Sequence, residues 1–284
     1  MLLIDGKNSA SQIRAEVKND VKDFVTKVGI IPCLAVILVG DDPASAVYVR
    51  NKHRACEETG IHSLSIVMPY ETSEDKLLAV IKELNERPDI HGILVQLPLP
   101  KHINESAIIE AISPQKDVDG FHPTNVGKMM LGQKSYLPCT AAGIIELLQH
   151  YRVPIEGKHA VIVGRSNIVG KPIAQLLLKH NATVTICHSK TRELSYHTKN
   201  ADILIVAIGK ANFITAKDVK SNAVVIDVGI NRTEEGKLCG DVCFESVSAV
   251  ASAITPVPGG VGPMTIAMLM KNTLDAAKDI LNCL

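Results

Sequence analysis

The sequence predicts an α/β protein with two α/β domains, the second of them a Rossmann-like, doubly wound dinucleotide-binding domain. A length of 284 residues suits about two domains of ordinary size. Short apolar runs rich in β-branched residues alternate with longer segments of helical periodicity along most of the chain. Several of these runs are apolar on both faces, which is typical of parallel strands covered by helices.

The composition favours a folded protein that acts on a small molecule. Hydrophobic residues make up 46% of the chain and charged residues 21%, which excludes a mainly disordered state. Lysine plus arginine number 30 and so do aspartate plus glutamate, and no long run carries a single sign. We therefore expect no nucleic acid and no membrane as partner, since both are recognised by concentrated positive charge.

The cysteines and the amino terminus indicate a cytoplasmic protein. An odd number of cysteines, widely spread and without a C-x-x-C pair, predicts reduced thiols and neither a disulfide framework nor a metal site. The chain begins with a short apolar stretch that reaches Asp5 and Gly6 before a signal-length segment can form. The cysteines are Cys33, Cys56, Cys139, Cys187, Cys239, Cys243 and Cys283.

The first half of the chain is expected to alternate helices with strands. Asp42 can cap a helix whose first residue is Pro43 and which Gly60 ends. The stretch 112–138 is punctuated by glycine and proline and is long for a loop without secondary structure, so it is either functional or a passage between domains. The other predicted elements are helices over 9–28 and 73–85 and strands over 33–39, 64–68 and 92–97.

A second α/β series follows in the second half. Thr140 is a suitable N-cap for a helix that runs to about Tyr151, and Pro263 suits the first turn of a closing helix over 263–281. The strands between these helices have the spacing of a doubly wound domain. They are predicted over 159–164, 183–187, 203–208 and 224–228.

The turn after the first strand of this series suits a nucleotide pyrophosphate. An apolar strand leads through Gly164 into a helical segment, an arrangement that directs free N–H groups and a positive helix end to one point. The usual three-glycine pattern is incomplete, since Ser166 replaces the second glycine and Gly170 comes one residue late. The alternative is a tight β-α turn that needs glycine only for its backbone conformation.

The end of the following strand favours NADP over NAD. An NAD-binding domain normally offers an acid to the ribose there, but residues 185–191 contain neither aspartate nor glutamate. Arg165 and Lys190 could instead bind a 2′-phosphate. Each of these two could equally be an ordinary solvated surface charge, and their coincidence with the missing acid favours the binding role.

Candidate catalytic groups lie in the first half. Tyr48 and Lys52 are one helical turn apart, so the tyrosine could stack on a flat ligand while a partly desolvated lysine transfers protons. The alternative is a tyrosine packed on the core with a lysine extending past it. Gln96 ends an apolar strand, where it could contact a ligand or satisfy a structural hydrogen bond.

Three further places have both a functional and a structural interpretation. Asp119 could accept hydrogen bonds from a heterocycle or belong to an Asp-Gly turn. His122 is interpreted as a loop histidine with satisfied hydrogen bonds. The glycines of segment 255–263 could let the backbone approach a ligand, or only turn a corner before the last helix.

Taken in order, five blocks of this sequence resemble one family over essentially the whole chain. It is the bifunctional methylenetetrahydrofolate dehydrogenase/methenyltetrahydrofolate cyclohydrolase family of one-carbon metabolism. The blocks are Tyr48-Val-x-x-Lys52, Gly92-Ile-Leu-Val-Gln96-Leu-Pro-Leu-Pro100, Pro114-Gln-Lys-Asp-Val-Asp-Gly120, Gly164-Arg-Ser-x-Ile-Val-Gly170-Lys-Pro and Pro256-Val-Pro-Gly-Gly-Val-Gly-Pro-Met264-Thr.

The resemblance implies an NADP-dependent oxidation of 5,10-methylenetetrahydrofolate to the 5,10-methenyl cation, followed by hydrolysis to 10-formyltetrahydrofolate without a metal. It implies that Lys52 is the general acid/base of the hydrolysis and that Gln96 holds and tunes this lysine. Tyr48 would stack on the folate ring system and Asp119 would bind the pterin edge. The substrate would also contact Pro258, Gly259 and Gly260.

The resemblance also implies the cofactor contacts and the domain arrangement. Residues 1–139 with 264–284 would form the folate-binding catalytic domain and 140–263 the NADP-binding domain, with the active site in a cleft between them and a homodimer as the assembly. The cofactor residues would be Gly164, Arg165, Ser166, Ser189 and Ile230.

Two other functions remain compatible with the sequence. The first is a monofunctional NADP-dependent dehydrogenase without cyclohydrolase activity, which only an assay of both activities separates from the bifunctional enzyme. The second is a catalytically silent nucleotide-binding regulator, and the presence of Lys52 argues against it.

Overall fold

The computed structural model describes residues 1–233 and 235–281 and divides the chain into two compact units. We call them the first unit, Met1–Ala10 with Thr140–Thr265, and the second unit, Ser11–Cys139 with Ile266–Leu284. The division falls within the first and the last long helix, so each of these two helices contributes to both units.

The elements follow one another in nearly regular α/β alternation. The strands are β1 (Leu2–Leu3), β2 (Cys33–Val39), β3 (His62–Met68), β4 (Gly92–Val95), β5 (His159–Val163), β6 (Thr183–Cys187), β7 (Ile203–Val206), β8 (Val224–Asp227), β9 (Asn231–Arg232), β10 (Leu238–Cys239) and β11 (Ala253–Ile254). The helices are α1 (Gly6–Val28), α2 (Pro43–Thr59), α3 (Glu74–Glu86), α4 (Glu105–Ala111), α5 (Pro123–Met130), α6 (Cys139–His150), α7 (Gly170–Lys179), α8 (Leu194–Thr198), α9 (Phe244–Ser248) and α10 (Val261–Ile280), with a 3₁₀ helix at Ala216–Asp218.

The second unit contains a three-stranded parallel sheet in the order β3-β2-β4. All seven residues of the central strand β2 are buried, as expected for an apolar strand covered on both faces. The predicted start and end of α2 are confirmed, since the Asp42 side chain accepts from the Ser45 amide at 2.7 Å and Gly60 caps the helix in the left-handed conformation. This helix therefore begins directly after the carboxyl end of β2.

The first unit contains a six-stranded parallel sheet in the order β1-β11-β8-β7-β5-β6. The predicted doubly wound, parallel architecture is confirmed, and β5 to β8 lie within two residues of their predicted bounds. Strands β1 and β11 were not predicted, because a strand of two residues is too short to show a period. Their pairing explains why the first ten residues group with this unit rather than with the rest of 1–139.

The stretch 112–138 contains a helix that the sequence did not predict. Pro123 is at the first position of α5, and the His122 ring Nδ1 caps the helix by accepting from the Thr124 amide at 3.1 Å. Asn125 and Met129 are the buried residues of this helix. Eight residues with only two buried positions give too weak a periodic pattern to be recognised in a glycine- and proline-rich segment.

Two further observations concern the cysteines and the character of the helices. Six cysteines have free thiols, and Cys283 lies outside the described residues. Within residues 1–233 and 235–281, no helix combines the length and the apolar character needed to span a bilayer.

Candidate active site and nucleotide site

The second unit brings Lys52 and Gln96 into direct contact. Lys52 is on α2 and is only 7% exposed, and Gln96 directly follows β4. The Lys52 ammonium donates to the Gln96 Oε1 at 3.0 Å, while the Gln96 Nε2 donates to the Leu97 carbonyl at 2.6 Å. The second bond orients the amide so that its acceptor oxygen faces the lysine.

Burial makes Lys52 a candidate proton carrier. Desolvation lowers the pKa of its ammonium below the ordinary value, and the negative charge of the nearby Asp119 partly opposes this shift. Burial likewise raises the pKa of Asp119, and the positive charge of Lys52 counteracts that rise. A lysine with a lowered pKa gives up its proton more readily than an exposed lysine, which favours general acid/base catalysis. Three of the predicted residues, Lys52, Gln96 and Asp119, therefore form one cluster.

The buried Lys116 secures the segment that carries Asp119. Its ammonium donates to three carbonyl groups at the end of α3, those of Leu84 at 3.1 Å, Asn85 at 2.9 Å and Arg87 at 2.6 Å. A lysine in this position satisfies carbonyls that have no partner within the helix. The segment before Asp119 is thereby tied to α3.

Asp117 and Asn272 also secure this segment. The Asp117 carboxylate accepts from the Asn125 amide group at 2.8 Å, and the Asn272 amide group donates to the Val118 carbonyl at 2.8 Å. Asn272 also lies 3.5 Å from the Cys139 sulfur. Sequence reasoning missed these supporting residues, and the only available signal was the presence of polar residues within apolar helical and strand patterns.

Tyr48 lies one turn before Lys52 on α2 and is partly buried. Burial raises the pKa of its phenol, so the ring carries a neutral hydroxyl at physiological pH. The tyrosine thus presents a neutral aromatic surface next to the lysine.

In the first unit, the turn at Gly164 can only be built from glycine. Its φ is +128°, and a Cβ at this position would collide with the carbonyl oxygen of Ala207. A Cβ on Gly170 would meet the Gly164 carbonyl and, at 2.8 Å, the Arg165 nitrogen. The two glycines therefore let the start of α7 pack closely against the end of β5, as the turn of a dinucleotide-binding domain requires.

The residues of this turn fit a nucleotide phosphate. Ser166 Oγ accepts from the amides of Val169 at 3.2 Å and Gly170 at 3.3 Å, which shapes the turn before the ten-residue helix α7. In the part of the chain that the structure describes, the amides of Arg165 and Ser166 have no protein acceptor. Unpaired amides in the turn that leads into a helix are available to bind an anion.

The other predicted cofactor residues lie on loops that follow strands of the same sheet. Arg165, Ser189 and Lys190 are exposed, and Ile230 is 48% exposed. Ser189 and Lys190 follow β6 in a turn in which the Lys190 amide donates to the His188 ring at 3.1 Å. Their side chains are therefore not committed to packing in the protein core.

The glycine-rich segment before α10 belongs to the first unit. Gly259 has a φ of +108° and its carbonyl accepts from the Lys7 amide at 2.9 Å. A Cβ on Gly260 would lie 2.6 Å from the Pro256 carbonyl oxygen. Pro258, which directly precedes these two glycines, is exposed. Glycine is therefore required at position 259 by its backbone conformation and at position 260 by close packing.

The parallel six-stranded sheet with its glycine turn is the architecture of dinucleotide-binding α/β proteins, and the buried lysine–amide pair of the second unit marks a candidate enzyme site. Two family models match the chain: "Tetrahydrofolate dehydrogenase/cyclohydrolase, catalytic domain" over residues 4–119 and "Tetrahydrofolate dehydrogenase/cyclohydrolase, NAD(P)-binding domain" over residues 138–281. The chain belongs to the tetrahydrofolate dehydrogenase/cyclohydrolase family.

Individual relatives agree with this assignment. The bifunctional protein FolD of Halalkalibacterium halodurans is 61% identical over 98% of this chain and 99% of the relative. The crystal structure of the bifunctional enzyme FolD from Campylobacter jejuni is 53% identical, with a TM-score of 0.96 over 98% of this chain and 99% of that chain. The Trypanosoma brucei dehydrogenase-cyclohydrolase, crystallised with NADP and an inhibitor, is 37% identical, with a TM-score of 0.95 over 99% of this chain and 98% of that chain.

These comparisons confirm the predicted family, fold class and bifunctional activity. The protein is a folate dehydrogenase and cyclohydrolase in a single chain with an NAD(P)-binding domain.

Proposed function

We propose that this protein oxidises 5,10-methylenetetrahydrofolate with NADP and then hydrolyses the methenyl product to 10-formyltetrahydrofolate at a site that contains Lys52. The observation that carries the proposal is the hydrogen bond between Lys52 and Gln96 on a buried lysine whose pKa burial lowers. Both activities belong to the family. The residue roles are those that the family resemblance implies, and the contact between Lys52 and Gln96 supports them.

Lys52 acts as the proton carrier of the hydrolysis. A water oxygen forms a bond to the cationic methenyl carbon while the neutral amine of Lys52 takes the proton that this water loses. When the ring carbon–nitrogen bond breaks, the ammonium returns a proton to the departing nitrogen, and the hydroxyl proton leaves as the formyl carbonyl forms. The sum is one water consumed and one proton released, and the lysine ends in its original state.

Gln96, Tyr48 and Asp119 position the lysine and the substrate. Gln96 keeps the Lys52 side chain in one orientation through its Oε1, without adding a negative charge that would hold the proton. Tyr48 offers an aromatic face for the folate ring system, and the Asp119 carboxylate accepts hydrogen bonds from the amino and ring N–H groups of the pterin. Precise positioning of this kind accounts for a large share of the rate when the electrophile is already cationic.

Backbone groups of the first unit complete the proposed binding set. Pro258, Gly259 and Gly260 form a segment that we assign to the substrate, as the family resemblance implies. We also assign the domains as folate-binding for 1–139 with 264–284 and NADP-binding for 140–263, with one exception at the amino terminus. The structural division, which places residues 1–10 with the second of these groups, motivates the assignment of β1 to the nucleotide domain instead.

NADP is the proposed cofactor because Ser189 and Lys190 follow β6, where an acid would select NAD. When bound, this cofactor would supply the acceptor for the hydride that the methylene carbon loses. Gly164 and Ser166 form the turn that receives the phosphates, Arg165 and Ser189 bind the 2′-phosphate, and Ile230 offers an apolar surface to the nicotinamide side. Arg165 and Ser189 are exposed and uncommitted, as residues for an incoming anion must be.

A homodimer and a cytoplasmic location complete the proposal. Free thiols at six cysteines agree with a reducing compartment. Sedimentation equilibrium on the purified protein would distinguish a dimer from a monomer.

A two-part assay tests the function. The protein is supplied with 5,10-methylenetetrahydrofolate and either NADP or NAD, and reduced cofactor is followed. In a second assay, the methenyl compound is supplied alone and its loss is compared with the uncatalysed rate. Activity in both, with a higher kcat/KM for NADP, is expected. Cofactor reduction without accelerated methenyl loss would instead indicate the monofunctional alternative.

A further inference from the structure

Asp241 is a buried carboxylate that holds two loops of the nucleotide-binding unit. It is 0% exposed, and its Oδ2 accepts from the amides of Ile208 at 2.6 Å and Gly209 at 3.0 Å. Its Oδ1 accepts from the Lys210 amide at 2.8 Å and from the Asn231 side-chain amide at 2.9 Å. One side chain thus orders three successive amides after β7 and a residue that begins β9.

A second buried acid holds Asp241 itself in place. Asp227 ends β8 and is 3% exposed, and its Oδ1 accepts from the amides of Asp241 and Gly229, both at 2.9 Å. Its Oδ2 accepts from the Val242 amide at 2.9 Å. The packing around the two acids is close, since a Cβ on Gly229 would collide with the Asp241 carboxylate.

In the described residues, these two buried carboxylates accept hydrogen bonds only from backbone amides and from the side-chain amide of Asn231. In the described residues, neither Asp227 nor Asp241 forms an ion pair. Burial raises the pKa of Asp227 to about 6, while the three amides that it accepts from favour its charged form. Two buried acids without a cation are costly to keep, which points to a role beyond general stability.

The loop that Asp241 orders borders the proposed phosphate turn. Ala207, which directly precedes this loop, has the carbonyl oxygen that a Cβ on Gly164 would strike. Strand β7 is next to β5 in the sheet, and ligands of doubly wound domains bind at the carboxyl ends of such neighbouring strands. Gly209 has a φ of +65°, and no atom lies within 4 Å of where its Cβ would be, so the loop presents open backbone there.

We propose that Asp241 is a positioning residue for the dinucleotide: it orders loop 208–210 in advance, so that NADP meets a preformed surface beside the Gly164 turn, and Asp227 supports Asp241. This inference rests on the proposed NADP site and adds the buried pair to it. Pre-ordering matters because a loop that becomes ordered only on binding loses conformational entropy in that step, and this loss weakens binding.

The test compares Asp241→Asn with Asp202→Asn. Asparagine keeps the size of Asp241 but directs an N–H₂ group at donors that need an acceptor. Asp202 is the matched control, because it accepts from the His159 amide at 3.0 Å and from Lys220 at 2.7 Å at the amino ends of the same strands. NADP affinity is measured by isothermal titration calorimetry, and cyclohydrolase turnover is measured without nucleotide.

The expected result is a Kd for NADP raised at least tenfold in Asp241→Asn, with cyclohydrolase turnover within twofold of the wild type. Asp202→Asn should leave both within twofold. An Asp241→Asn protein that binds NADP as tightly as the wild type would overturn the inference. A wild-type protein that does not bind NADP would instead defeat the proposed cofactor site.

If Asp241→Asn does not fold, amide hydrogen exchange in the wild-type protein tests the inference instead. The inference requires slow exchange at Ile208, Gly209 and Lys210 before nucleotide is added, as resolved by nuclear magnetic resonance. Free exchange at these amides in the nucleotide-free protein, with protection only after NADP is added, would contradict it.

Discussion

The two units form their candidate sites from different parts of the chain. In the second unit, the chemistry depends on side chains, because Lys52 is 7% exposed and a single amide, Gln96, orients it. In the first unit, binding depends on backbone, because Gly164 and Gly170 allow a close turn and leave amides available. A proton carrier needs a desolvated side chain, whereas a phosphate needs donors that no protein group has already taken.

This difference also separates the consequences of substitution. A side-chain change at Lys52 alters the chemistry of one atom and leaves the fold of the other unit intact. A change at Gly164 adds atoms where the backbone is already in contact and alters binding without touching a titratable group. The two activities of the family therefore offer separate readouts for the two units.

The largest expected effect is that of Lys52→Met. Removing the proton carrier should lower cyclohydrolase kcat by about a thousandfold, the size of general acid/base catalysis. The Kd for NADP should stay within twofold, which calorimetry would measure. Lys82→Met, an exposed lysine on α3, is the control and should change neither value. Retained hydrolysis in Lys52→Met would exclude the assigned role.

The reciprocal experiment is Gly164→Ala. The added Cβ would strike the Ala207 carbonyl and the φ of +128° would be strained, so the Kd for NADP should rise at least tenfold while cyclohydrolase activity persists. Gly157→Ala is a matched control, since Gly157 also has a positive φ, +71°, but no atom within 4 Å of its Cβ position. Equal NADP affinities in the two variants would show that the tight turn does not govern binding.

Gln96→Glu tests the tuning of the lysine. A carboxylate beside Lys52 stabilises its ammonium form and raises the pKa that burial has lowered. Because the neutral amine predominates above its pKa, the acid limb of the cyclohydrolase kcat profile should move to higher pH by about one unit. The exposed Gln133→Glu should leave the profile in place. A shift to lower pH would contradict the electrostatic argument.

The smallest expected effect is that of Arg165→Ala. An exposed charge contributes on the order of 1 kcal/mol, so the ratio of kcat/KM for NADP to that for NAD should fall about fivefold. Lys179→Ala, another exposed cation of the same unit, should leave the ratio unchanged. An unchanged ratio in Arg165→Ala would remove this residue from the 2′-phosphate site.

The sequence was most informative where a residue's role depends on its near neighbours. Strand β2 was predicted with its observed bounds, since seven consecutive apolar residues describe a buried parallel strand. The caps of α2 at Asp42 and Gly60 were predicted because capping depends on a few adjacent residues. The glycine turn at Gly164 was recognisable for the same reason.

The sequence was least informative about residues that act across long distances along the chain. Asp241 serves the amides of residues 208–210, and Asn272 serves the carbonyl of Val118, 154 residues away. Neither residue lies in a local pattern that indicates its partner. Strands β1 and β11 escaped prediction likewise, because their pairing defines them more than their own two residues do.

The sequence by itself determined the α/β class, the order of most elements, the nucleotide turn and the family with its candidate residues. Only the tertiary structure decided that Lys52 is buried against Gln96, that Lys116 and Asp117 secure the segment before Asp119, and that the first ten residues join the nucleotide-binding unit. The physical reason is that capping, turns and periodicity depend on neighbours along the chain, whereas desolvation and hydrogen-bond partnership depend on neighbours in space.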